Sequence, residues 1–264
     1  MRSILSPEGL AVLDDLAARH ALLAFDFDGT LAPIVADRDE ARVRPETLAV
    51  LRVLAILYPC AIVSGRARAD VAARVSRIPF IAVIGNHGAE AGYGPVDRSV
   101  RGDLAAWKRR LKSELSFVPG IDVEDKGFSL AVHYRQVPSW AAARHLSLRA
   151  ASSLEGARVS GGHAVVHVTP ADAPDKGTAI GELLRRIGHR PVLYVGDDRT
   201  DEEVFRSPLI EVGVRVGRTA RSAARWYLPA QAAVDELLRA LLAARTRCDG
   251  RGDRWEGLAR AIGP

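Results

Sequence analysis

Short apolar runs that end in polar breaks recur along the chain: ALLAFDF at 21–27, CAIVSG at 60–65, FIAVIGN at 80–86, PVLYVGDD at 191–198 and LIEVGVRVG at 209–217. Runs this short and apolar on both faces predict buried strands of a parallel sheet. Between them apolar residues fall at helical spacing, in PETLAVLRVLAIL from Pro45, ARADVAARV from Ala67, KGTAIGELLRRI from Lys176 and AVDELLRALLAA from Ala233. Ser6 and Pro7 read as the cap and first position of an opening helix that carries Leu10, Leu13, Leu16 and Ala17. Strand and helix alternating at this spacing predict an α/β fold, a doubly wound parallel sheet covered by helices on both faces.

Residues 91–168 break the alternation. A helical pattern, DLAAWKRRLKSEL, leads to strand-like GIDVEDK and GFSLAVHYR, then to helical SWAAARHLSLRAA and the stretch ARVSGGHAVVHV. Two helices with antiparallel strands predict a smaller α+β module inserted between a core of 1–90 and 169–264. Trp107, Phe117, Trp140 and Leu146 are expected to build its interior.

Composition narrows the functions. The 264 residues carry a formal charge of +5 spread along the chain, without a run of like charges. Nucleic acid is therefore not an expected partner, while small anions are favoured. The two cysteines give no disulfide framework, and Asp14, Asp15 and Arg19 interrupt the apolar residues of the start. No apolar stretch reaches membrane-spanning length, so no membrane is expected and the cytoplasm is the expected location.

The chemistry concentrates at strand ends. Asp26-Phe27-Asp28-Gly29-Thr30 closes the first run, and alternation along a strand puts Asp26 and Asp28 on one side. Open parallel sheets bind ligands at that edge. A carboxylate attacking phosphorus forms an aspartyl-phosphate, and a second one can protonate the leaving alcohol and later activate water. Asp26 is thus the candidate nucleophile and Asp28 the candidate acid/base. Clustered carboxylates call for a cation, and Mg2+ suits their hard oxygens.

Gly196-Asp197-Asp198-Arg199-Thr200-Asp201-Glu202 brings more carboxylates to the same edge. Asp197 is assigned to the metal, with Asp198 and Asp201 orienting groups around it. Ser64 and Gly65 of Ser64-Gly65-Arg66, and Lys176 opening a helix, suit a phosphate anion. Arg66 is placed toward the substrate.

DFDGT, SGR, DKG and GDDRTDE, in this order, resemble the four motifs of the haloacid dehalogenase superfamily of phosphotransferases. The resemblance implies Mg2+ held by Asp26, the Asp28 main-chain carbonyl and Asp197, and it implies an inserted cap domain. Over about 22–242 the chain is similar to trehalose-6-phosphate phosphatases, through DFDGTLAPI, GNHGAE, VEDKGFSLAVHYR and GDDRTDEEVF. That similarity implies a cap that closes over a sugar phosphate, with Glu124, Lys126 and Arg135 as its sugar contacts. Hinges are expected near Ala91 to Gly94 and Thr169 to Ala173, and a monomer is expected.

One departure stands out. Where these phosphatases carry Glu before a Pro in the strand leading to the third motif, this chain has His167 before Val168-Thr169-Pro170. A neutral imidazole accepts fewer hydroxyl bonds than a carboxylate, so a related glycosyl or pseudo-disaccharide phosphate is an alternative substrate. A sugar phosphomutase and a binding module without turnover are further alternatives. His87, flanked by glycine, is read as structural, without a catalytic role.

Overall fold

The computed structural model describes residues 1–35, 37–91, 104–162 and 164–248. Seven parallel strands form the larger sheet: β1 (Arg2–Ser3), β2 (Leu22–Phe25), β3 (Cys60–Val63), β4 (Ala82–Ile84), β9 (Val192–Gly196), β10 (Val212–Val216) and β11 (Trp226–Leu228). Their order is β1-β11-β10-β9-β2-β3-β4. From β2 the chain winds outward through β3 to β4, and from β9 it winds the opposite way. The reversal point therefore lies between β2 and β9, where open sheets of this type bind ligands.

Helices cover both faces, as the alternation predicts. On one face Leu23, Phe25, Ile62, Leu193 and Val195 pack on α1 (Pro7–Ala18), α2 (Pro45–Leu57), α3 (Arg68–Arg74) and α8 (Val234–Cys248). On the other, Leu22, Ala24, Ala61, Val192 and Tyr194 pack on α6 (Lys176–Ile187) and α7 (Arg199–Phe205). Helix α1 starts as read, with the Ser6 side chain accepting from the Gly9 amide and Pro7 in the first turn. Strands β1 and β11 carry no apolar run long enough to predict them; they complete the edge beyond β10.

The inserted segment builds a second, antiparallel sheet in the order β5-β6-β8-β7, from β5 (Asp122–Asp125), β6 (Leu130–His133), β7 (Ala157–Gly162) and β8 (Val165–Pro170). The stretch read as one unit, ARVSGGHAVVHV, is two strands. Val123, Leu130, Val132, Val166 and Val168 form one face, packed under α4 (Leu104–Leu115) and α5 (Trp140–Ser152). Alternation sends the intervening residues to the other face, where register aligns Glu124, Ala131, His167 and Ser160 in one row. Trp107 is buried in this module and Leu146 packs partly against it. Phe117 and Trp140 correct the expectation: they are 67% and 42% exposed, because both fall at helix ends that face solvent.

Candidate active site

Because β2, β3, β4 and β9 run parallel, the residues after their carboxyl ends share one edge. Asp26 continues the ladder, its amide donating to the Val195 carbonyl at 2.9 Å. Strand β2 itself ends at Phe25, so strand alternation does not set Asp28. A turn does, in which Gly29 donates to Ala32 and Ala32 to Phe27. Gly29 takes φ +77°, and a Cβ there would stand 2.1 Å from an Asp197 carboxylate oxygen. Only glycine lets these two acidic loops meet so closely.

Asp26, Lys176 and Asp201 form a buried charged cluster. Lys176 Nζ donates to Asp26 Oδ1 and to Asp201 Oδ1, both at 2.8 Å. Lys176 opens α6 behind Asp175, which caps that helix by accepting from the Thr178 amide at 2.7 Å. Tyr194, on β9, donates its hydroxyl to Asp201 Oδ1 at 2.6 Å. Asp201 Oδ2 accepts from the amides of Asp197 and Asp198, each at 2.9 Å. Asp201 is thus saturated and fixes both Lys176 and the loop before α7.

Burial pushes the Asp26 carboxyl up to about 7, with Asp201 and Asp28 adding to it and Lys176 opposing. Burial likewise pushes Asp197 up to about 9, reinforced by Asp26, Asp201 and Asp198. For Lys176 burial acts downward, but Asp201 and Asp26 outweigh it and hold the ammonium well above its ordinary range. Such crowding is what a divalent cation relieves. Asp26, Asp197 and Asp201 each present an oxygen within 4.8 Å of the others. Among the described residues Asp197 Oδ1 is buried without a hydrogen-bond partner, whereas Asp201 is fully used. The donor set therefore fits a hard cation through Asp26 and Asp197, with Asp201 as its organiser.

Ser64 is fully buried after β3, its Oγ accepting from the Arg66 amide at 3.1 Å. Arg66 closes on Asp28 with two bonds, Nε to Oδ2 at 2.6 Å and Nη2 to Oδ1 at 2.7 Å. It also reaches Asp70 at 2.9 Å and the Arg38 carbonyl at 2.7 Å. Asp198 lies beside the cluster; burial raises its carboxyl, opposed by the Arg199 amide.

The polar face of the smaller sheet sits over this edge. Lys126 donates to the Gly65 carbonyl at 2.9 Å. Asn86, fully buried after β4, donates to Glu90 at 2.8 Å and to the Lys126 carbonyl at 3.1 Å, and accepts from Ser129 at 2.9 Å. Glu124 pairs with Arg38, and His133 Nε2 lies 2.9 Å from Glu124 and 2.6 Å from Arg38. Burial acts upward on Glu124, yet His133, Lys126 and Arg38 together lower its carboxyl to about 2. Arg135 donates to the Val35 carbonyl. His167 stacks edge-on against His87.

The structure thus gathers Asp26, Lys176, Asp197 and Asp201 in one cluster, with Asp28, Ser64, Gly65, Arg66 and Asp198 around it. Lys126 reaches the Gly65 carbonyl and His167 meets the His87 ring, while Glu124 and Arg135 meet other core segments. Sequence reasoning passed over Arg38, Asn86, His133 and Tyr194. Tyr194 had a signal, a lone hydroxyl inside a buried strand that needs a partner. Arg38, in an irregular segment, had none.

Comparisons with known proteins bear on this arrangement. The family model for trehalose-phosphatase matches residues 24–216. The chain is 40% identical over 209 residues to a trehalose-phosphate phosphatase of Mycobacterium avium, covering 73% of this chain and 52% of that one. It is 37% identical over 216 residues to its Mycobacterium tuberculosis counterpart, covering 75% and 54%. The chain therefore spans about half the length of the curated relatives it matches. In fold it resembles the C-terminal domain of the Candida albicans trehalose-6-phosphate phosphatase, with a TM-score of 0.77 at 21% identity, covering 92% of this chain and 98% of that one.

Proposed function

The chain belongs to the trehalose-phosphatase family, and from that membership we propose that it hydrolyses trehalose 6-phosphate to trehalose and phosphate. The observation that carries the reading is the buried Asp26 and Lys176 pair, beside Asp197, beneath the polar face of an inserted sheet. In this proposal an Asp26 oxygen attacks phosphorus as the ester O–P bond breaks, and Asp28 gives a proton to the departing sugar oxygen. Asp28 then takes a proton from water, whose oxygen attacks phosphorus and frees Asp26 and orthophosphate. Lys176 and Ser64, with the Gly65 main chain, hold the phosphoryl oxygens. Arg66, clasped to Asp28, steadies that side chain and meets the substrate by exchanging a partner.

We assign the cation to Mg2+, held by Asp26, the Asp28 main-chain carbonyl and Asp197; when bound it neutralises charge on the carboxylates and the phosphoryl group. Asp198 and Asp201 orient that set. We divide the chain into a catalytic core, 1–90 and 169–264, and a cap, 91–168. Glu124, Lys126, Arg135 and His167 are its sugar contacts. Cap closure would exclude water from the reaction. Its hinges are placed at Thr169 to Ala173 and near Ala91; positions 92–94 lie outside the described residues.

A monomer is the working unit of this proposal. Both cysteines are free, which supports a reducing cytoplasm. Among the described residues no helix is long and apolar enough to cross a membrane.

Orthophosphate release from a panel of sugar phosphates tests the reading. Preference for trehalose 6-phosphate, abolished by chelation, is expected; turnover of other esters with none of this one removes it. A second reading, a related glycosyl or pseudo-disaccharide phosphate, is favoured by His167 standing in the same cross-strand row as Glu124, one strand beyond Ala131. His167→Glu should then shift relative kcat/KM toward trehalose 6-phosphate.

A further inference from the structure

Strand β8 lays His167 against His87 where the two sheets meet, with ring centroids 4.5 Å apart and planes at 67°. His87 is only 9% exposed and His167 8%. Among the described residues, neither ring nitrogen of His87 and not Nδ1 of His167 has a hydrogen-bond partner, and all three are shut off from solvent. A buried polar atom left unpaired costs about 1–3 kcal/mol. Three at one contact need an explanation.

The backbone under His87 adds a second anomaly. Asn86 and His87 both take left-handed conformations, φ 47° and 56°. Consecutive non-glycine residues there are strained and persist only where their surroundings hold them. Here the Asn86 amide donates to Arg66 at 2.7 Å and the His87 amide to Ser64 at 2.9 Å. The Asn86 side chain is fixed by Glu90, Ser129 and the Lys126 carbonyl. The effect is to lay the His87 ring over Gly65, where a Cβ would stand 2.6 Å from Nε2. The strain thus aims an unsatisfied imidazole at the turn assigned to phosphate.

The surroundings decide its charge. Lys126, from the turn after β5, and Lys176, from α6, bear on both rings; Arg158, from β7, bears on His87 and His133, from β6, on His167. Asp198 approaches from the loop before α7, across Gly162, without a hydrogen bond to either ring. Burial above all pushes both imidazoles well below their ordinary range, helped at His87 by the facing His167 ring and Lys176 and at His167 by Lys126, so they are neutral. A neutral imidazole offers one donor and one acceptor, the same pair that a hydroxyl offers in return.

We propose that His87 and His167 together form a subsite for sugar hydroxyls, and that His87 is a specificity-determining residue that seats the sugar against the Ser64 to Arg66 turn. The inference rests on the sugar-phosphatase reading above and names the part of that site that reads the sugar. One imidazole comes from each sheet, so the subsite is complete only when β8 is seated on the core.

The test compares trehalose 6-phosphate with p-nitrophenyl phosphate, which lacks the sugar, in the full chain with Mg2+. His87→Phe keeps a ring and removes its nitrogens. It should raise KM for trehalose 6-phosphate roughly tenfold, as loss of one or two hydrogen bonds does. The loss on p-nitrophenyl phosphate should be several times smaller, and His87→Asn, which restores an amide, should recover part of the loss on the sugar phosphate. Equal losses on both substrates, or an unchanged KM, overturn the inference alone. A parent enzyme that turns over no sugar phosphate removes the functional reading and this one with it. Should His87→Phe fail to fold, histidine ring nitrogen resonances of the parent decide: saturating trehalose must shift those of His87 and His167, and silence there overturns the proposal.

Discussion

The edge of the large sheet and the polar face of the small one are built by different means. At the edge, Asp26, Lys176, Asp201 and Tyr194 are buried and bonded in one cluster at 2.6 to 2.8 Å, each fixed within or at the end of a core strand or helix. Across the interface, contacts join groups from both sheets: Lys126 to the Gly65 carbonyl, Ser129 to Asn86 at 2.9 Å, Arg158 to the Ala173 carbonyl at 2.8 Å, and Glu124 with Arg38. The first arrangement is finished within the core; the second exists only while the sheets are docked. On the proposed reading chemistry is prebuilt and recognition is assembled, and the two should fail differently when perturbed.

The largest expected effect breaks the edge. Asp26→Asn should lower kcat for trehalose 6-phosphate by about a thousandfold or more, because the proposed nucleophile is gone. Its melting temperature should not fall, since burial disfavours that charge. Lys176→Met should act on stability as well, by roughly 3–5 kcal/mol in urea unfolding, because it leaves two buried carboxylates without their cation. A variant as stable as the parent would show that the cluster is not as closed as its geometry indicates.

Proton linkage sharpens the same contrast. The carboxyls of Asp26 and Asp197 stand near 7 and 9 in the folded chain, against an ordinary value of 3.8. Between the ordinary and the raised values the folded protein keeps protons that the unfolded chain has released. Stability of the metal-free protein should therefore fall as pH rises through that window. Mg2+ favours the ionised carboxylates and should raise the melting temperature more at about pH 8 than at about pH 5. Equal gains at both would contradict the assignment of the cation to this pair. For the interface, Glu124→Gln weakens the contact with Arg38, and only a several-fold rise in KM with little change in kcat is expected, since a half-buried pair contributes about 1 kcal/mol.

Legibility in the sequence divided along the same line. The strand ends that carry DFDGT, SGR and GDDRTDE announce themselves locally, as an apolar run followed by acidic or small residues, and the fold class follows from their alternation. Lys176 was readable as a helix start. The edge strands β1 and β11 were not, because Arg2–Ser3 is two residues long and Trp226–Leu228 three. Nor was the use of Arg38 or Asn86. Arg38 meets Glu124 86 positions away, and no local pattern encodes a contact that docking creates. Asp28 was assigned to the crevice by strand alternation, yet a turn ended the strand first and gave its carboxylate to Arg66.

The smallest expected effect tests where the interior of the small sheet's module ends. Helical spacing counts Phe117 and Trp140 with Trp107, because an aromatic near a helix looks like core when read as a string. Trp107, on α4, belongs to the apolar core of this module and is 7% exposed, whereas Phe117 follows the last turn of α4 and is 67% exposed. Little apolar area leaves water there on folding, so Phe117→Ser should change the unfolding free energy by no more than about 0.5 kcal/mol. The substitution should leave KM for the sugar phosphate unchanged as well, because Phe117 lies outside the row of Glu124, Ala131, His167 and Ser160. A loss of several kcal/mol would mean that another surface covers this aromatic in solution, and chemical shifts of the labelled ring would locate it.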